Sequence, residues 1–66
     1  MKICDFVKRE LDMFRRECNF TDEEMEFFNY RAKNIPIEQI AELMNISKGK
    51  ADVLSKKVKQ KIIKVL

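Results

Sequence analysis

The stretch Leu43-Met44-Asn45-Ile46-Ser47-Lys48-Gly49-Lys50 constrains this chain more than any other. An apolar segment (Ile40, Ala41, Leu43, Met44) is cut by Asn45, a residue type that tolerates the left-handed backbone ending many helices. Ile46 is then placed to fold back as a hydrophobic plug. Ser47 is a good N-cap, because its hydroxyl accepts one of the backbone N–H groups that a new helix leaves without a partner. The pattern reads as helix, tight turn, helix, and the second helix is crowded with cations.

Sixty-six residues make one small domain, 1–66, which buries roughly 60% of its unfolded surface. A single Gly and a single Pro leave little material for hairpin turns, so the expected class is all-α, a four-helix bundle containing a helix-turn-helix. No apolar run is long enough to span a membrane, so no membrane partner is expected. The start, Met1-Lys2-Ile3-Cys4-Asp5, meets acid at once and lacks the apolar core of a secretory signal, which points to the cytoplasm.

The spacing predicts helices over about 3–18, 22–33, 37–44 and 47–64. In the first, a packing helix within residues 1–19, Ile3, Phe6, Val7, Leu11, Phe14 and Cys18 recur at steps of three and four and share one face. Asn19-Phe20 breaks it. Thr21-Asp22-Glu23-Glu24 fits a capping box, flanked by a Phe20–Met25 hydrophobic staple. The second helix continues with Met25, Phe28 and Ala32 as its core stripe and Phe27 and Tyr30 beside it. Pro36 disfavours helix at Ile35 and itself suits the first position of the third helix. There Ile40, Ala41 and either Leu43 or Met44 point inward, and Ala41 is small enough for a close helix crossing. The fourth helix turns Ala51, Leu54, Val58 and Ile62 inward. Its last turns (Ile62, Ile63, Val65, Leu66) are apolar enough either to pack on the first helix or to seat a partner subunit.

The net charge of +3 is unevenly sorted. From Ser47 onward Lys48, Lys50, Lys56, Lys57, Lys59, Lys61 and Lys64 face only Asp52, a balance of +6, whereas residues 1–46 carry −3. A basic end on an acidic body points to a polyanion partner at one end. The bland reading is a solvated lysine-rich helix that keeps the protein soluble.

Catalytic signals are lacking. There is no histidine, Gly-rich phosphate loop or nucleophile elbow, and the acidic pairs Glu23/Glu26 and Glu38/Glu42 suit solvated helix faces. Neither enzyme chemistry nor a cofactor is expected. Cys4 and Cys18, on one straight helix, would stand about 21 Å apart, beyond disulfide reach. Without histidine or a C-x-x-C spacing no metal site is expected either. Reduced, partly buried thiols are the expectation.

From Phe20 to Leu66 the chain resembles the helix-turn-helix shared by bacterial sigma factor region 4 and the LuxR-type DNA-binding domains. The resemblance rests on Phe20-Thr21-Asp22-Glu23-Glu24 and on Glu38-Gln39-Ile40-Ala41-Glu42-Leu43-Met44-Asn45-Ile46-Ser47. The recognition helix typically opens Ser-x-x-Thr-Val, and here reads Ser47-Lys48-Gly49-Lys50-Ala51. Lys50 and Ala51 depart from that pattern, Leu54-Ser55 reverses its polar-then-apolar order, and Asn45 stands where Gly is usual. The base preferences of a family member therefore do not transfer.

The resemblance implies a small free-standing transcriptional regulator that binds double-stranded DNA through its fourth helix. Ser47, Lys48 and the N–H groups beside Gly49 are candidates for phosphate contacts. Lys50, Val53 and Lys57 face outward as candidates for base edges, and Lys56 and Lys61 for flanking phosphates. A single module has a limited interface, so a homodimer is expected, formed through the C-terminal turns or the N-terminal helix with its Met13. The rival reading is a protein-interaction module that binds RNA polymerase or an anti-factor or serves as an assembly adaptor, since sigma region 4 relatives also touch RNA polymerase.

Overall fold

A computed structural model describes residues 2–66 as a 3-10 turn, Ile3–Asp5, and four α-helices: α1 Lys8–Glu17, α2 Asp22–Ala32, α3 Ile37–Met44 and α4 Lys48–Val65. No strand occurs among the described residues. The protein is the expected all-α bundle, and α2, α3 and α4 begin and end within one residue of the expected bounds.

Each interhelical break is written in the same three-residue form. Asn19, Asn34 and Asn45 all adopt positive φ, at 53°, 63° and 57°. Asparagine does here what glycine does in most helix stops. After α2, the Ile35 N–H donates to Tyr30 O and the Asn34 N–H to Arg31 O, at 3.2 and 2.9 Å. After α3, the Ile46 N–H donates to Ala41 O and the Asn45 N–H to Glu42 O, at 2.9 and 3.2 Å. Both are Schellman closures, which occupy carbonyls that a helix end otherwise leaves open. A hydrophobic residue follows each asparagine: Phe20, Ile35 and Ile46 all pack against the core. The third residue starts the next helix, and Thr21, Pro36 and Ser47 are its N-caps.

The N-terminal region departs from the expected continuous helix over 3–18. The Ile3–Asp5 turn ends at Phe6 and Val7, both with extended backbone, and α1 begins only at Lys8. The physical reason is local and tertiary at once. Glu10 reaches back to accept the Val7 N–H at 3.1 Å, an acidic cap on a helix start whose valine has no side-chain oxygen. The detached turn then lies against α2 and buries Ile3. Val7, placed on the inward face by its spacing, is instead 57% exposed. The two thiols therefore do not sit on one helix; Cys4 is half-buried, Cys18 is buried, and both are unpaired.

The core is built around α2. Phe28 meets Phe14 edge-on with ring centroids 6.5 Å apart and Phe20 at 5.1 Å, while Phe14 meets Phe6 edge-on at 4.9 Å. Phe27, about 100° further round the helix, is also fully buried. Here Phe27 takes a core position that the spacing gave to Met25 and Ala32, which are only half-buried. A helix packed on several sides has no single apolar stripe, and α2 lies against the N-terminal turn, α3 and α4.

α3 and α4 pack together, Ala41 and Ala51 are buried, and Ala51, Leu54, Val58 and Ile62 form the expected inward stripe of α4. Ser55, four residues beyond Ala51, is buried with them. On α3 the inward residue is Met44, while Leu43 is half exposed. No helix among the described residues is long and apolar enough to cross a membrane.

Candidate nucleic-acid interface

The start of α4 is organised by Ser47. Its backbone is extended, its Oγ accepts the Lys50 N–H at 3.1 Å, and its carbonyl accepts the Ala51 N–H at 3.0 Å. Among the described residues the N–H groups of Lys48 and Gly49 have no acceptor. They project from the positive end of the helix dipole, where anions are stabilised. The Ser47 hydroxyl keeps its own hydrogen to donate.

Gly49 is not demanded by the backbone, because its φ is not positive. A Cβ there would meet nothing nearer than Ser47 Oγ at 4.0 Å. The surface beside the helix start is open.

The seven lysines of α4 fall into two groups. Lys48 Nζ lies 3.6 Å from Glu38 Oε1 on α3, and Lys50 Nζ lies 3.1 Å from Glu23 Oε2 on α2. Lys61 Nζ donates to Glu24 Oε1 and, at 3.3 Å, to the carbonyl of Asn19. Lys56, Lys57, Lys59 and Lys64 have no carboxylate partner among the described residues. Gly49, Val53, Lys56 and Lys57 recur at helical spacing on the exposed side of α4, where Val53 is 48% exposed.

Lys61 is thus placed differently from the other candidates. It belongs to a partly buried cluster that ties α4 to the N-terminus of α2. Glu24 is 4% exposed and also accepts the Thr21 N–H at 2.9 Å, while Thr21 Oγ1 accepts the Glu24 N–H at 3.2 Å. Burial alone would push the Glu24 carboxyl up; the Lys61 ammonium and the Thr21 donors outweigh it and hold the group below its ordinary value. Cys18, whose thiol donates to the carbonyl of Lys61 at 3.6 Å, is pushed up by burial.

Ser47, Lys48, Gly49 and Lys50 gather at the first turn, Val53, Lys56 and Lys57 continue along the exposed face, and Lys61 lies at the α2 edge. Lys59 and Lys64 join the exposed cations, although the spacing argument left them out. Their signal was present, since neither falls on the stripe Ala51, Leu54, Val58, Ile62. The described residues form no pocket and no cluster suited to a metal ion.

Comparison with known proteins gives no match to a family model, to a curated protein or to a solved structure.

Proposed function

We propose that this protein binds double-stranded DNA as a small transcriptional regulator, with α3 across the backbone and α4 in the major groove. The observation that supports this best is the open first turn of α4. Free N–H groups at Lys48 and Gly49, an uncrowded glycine and an adjoining face of unpaired lysines occur together on an otherwise acidic molecule. The N–H groups and Lys48 take phosphate, and Val53 and Lys57 reach base edges, with valine suited to a thymine methyl. Lys56, Lys59 and Lys64 hold flanking phosphates.

A homodimer on a two-fold site is part of this reading, with a narrower surface than the apolar C-terminal turns suggest. Ile62 is fully buried and Met13 and Val65 pack against the core, leaving Ile63 and Leu66 exposed.

Duplex binding by fluorescence anisotropy across a salt series tests the proposal. Each phosphate neutralised contributes about 0.9 to the slope of log affinity against log salt, so the three unpaired lysines placed on phosphate set a slope of roughly three. Replacing Lys56 and Lys59 by Gln should lower it by about two. The stoichiometry of the same titration distinguishes one chain per site from two. A salt-independent signal, unchanged in the double variant, would show the reading to be wrong and favour a protein partner such as RNA polymerase.

A further inference from the structure

We propose that Glu23 sets the specificity of this DNA contact by withholding Lys50 from non-specific phosphate. The inference rests on the DNA-binding reading above and adds to it a residue on a different helix.

Of the two first-turn lysines of α4, Lys50 is the more closely held, with its Nζ 3.1 Å from Glu23 Oε2 against 3.6 Å from Lys48 Nζ to Glu38 Oε1. Glu23 is well placed to hold it. The first turn of α2 is locked by the reciprocal Thr21 and Glu24 bonds, and Glu24 is fastened in turn to Lys61 of α4. The carboxylate of Glu23 takes no part in that box, so it projects from a fixed base toward the start of α4.

A lysine with a built-in counterion behaves unlike a bare one. Non-specific affinity for duplex DNA comes from the release of condensed cations when protein charges replace them. Lys50 and Glu23 approach as a neutral pair, so this lysine adds nothing to that gain. A guanine edge in the groove offers O6 and N7 together, and geometry of that kind compensates for separating the pair. Random phosphate does not. The carboxylate therefore lowers background binding more than it lowers binding to a matching site. Both side chains are about half exposed, which limits the effect to roughly fivefold, the most an exposed ion pair supplies.

The test uses the full chain and a mixed-sequence duplex, with affinity measured across a salt series for four proteins: wild type, Glu23→Gln, Lys50→Gln and the double variant. Circular dichroism establishes that all four are folded. Glu23→Gln should tighten binding about three- to fivefold at low salt and steepen the salt slope by about 0.9. Lys50→Gln alone should leave the slope unchanged, and the double variant should return to the Lys50→Gln value. Equal tightening by Glu23→Gln in both backgrounds overturns the proposal, because the carboxylate then acts only through net charge. So does an unchanged slope in a wild type that binds. If the wild type shows no salt-dependent binding, the DNA reading itself fails and takes this one with it.

Discussion

At the N-terminal end, α1 packs on α4 and its Phe14 meets Phe28, which also meets Phe20, with ring centroids 6.5 and 5.1 Å apart. At the other end, α3 and α4 pack together, Ala41 and Ala51 are both buried, and the turn between the helices is closed by backbone bonds of the Asn45 cap. Large rings hold the first region, whereas the buried residues of the second include two alanines. Large rings tolerate an irregular backbone, and there the chain inserts a separate 3-10 turn. Close contact demands a regular one, and there the helix bounds are sharp.

The contrast is broken most severely at Phe14, which is fully buried and meets both Phe6 and Phe28. Phe14→Ala should cost about 3–5 kcal/mol, from lost transfer energy and the cavity left behind. That is a large share of the 5–15 kcal/mol typical of a folded domain, so urea denaturation should show a collapsed midpoint. A cost near 1 kcal/mol would mean that the rings do not hold this end.

One cluster spans both regions. Glu24 opens α2, Lys61 lies near the end of α4, and Asn19 and Cys18 close α1. The Glu24 carboxyl sits below its ordinary value, so its contribution to stability is full above the unfolded value of about 4.3. It is lost as pH falls through the lower, folded value. Glu24→Gln should cost about 1.5–3 kcal/mol at neutral pH, the worth of hydrogen bonds to a charged group, with the lower end favoured by the partial exposure of Lys61. Thermal melts at pH 7 and pH 3 check this, and the gap between wild type and variant should narrow in acid. A constant gap would assign the loss to packing.

The difference between the two regions also decides what was legible in the sequence. The helix bounds after residue 20 follow from neighbouring residues, because Asn45-Ile46-Ser47 carries its own stop, plug and cap. The start of α1 does not, since it depends on Ile3 folding against α2. The candidate interface divides along the same line. Exposure of Val53, Lys56 and Lys57 is a matter of helical period. The removal of Lys61 into a pair with Glu24, 37 residues away, is a matter of tertiary packing that no local pattern contains.

The smallest expected effect sharpens the comparison most. Ala41 and Ala51 are small and buried, whereas Gly49 is smaller still and a Cβ added there would meet nothing nearer than Ser47 Oγ at 4.0 Å. Its helical backbone gains nothing from glycine, which is less favourable than alanine by up to about 1 kcal/mol in a helix interior and by less at a first turn. Gly49→Ala should therefore leave the melting temperature unchanged or slightly raised. The added methyl group would stand beside the N–H groups of Lys48 and Gly49, where the proposed phosphate contact lies, and duplex affinity should fall at least threefold. Stability and binding moving in opposite directions would mean that the small residue serves a surface outside the protein. Unchanged binding would mean that the first turn of α4 never comes close to DNA, and the contact would then rest on the lysines further along the helix.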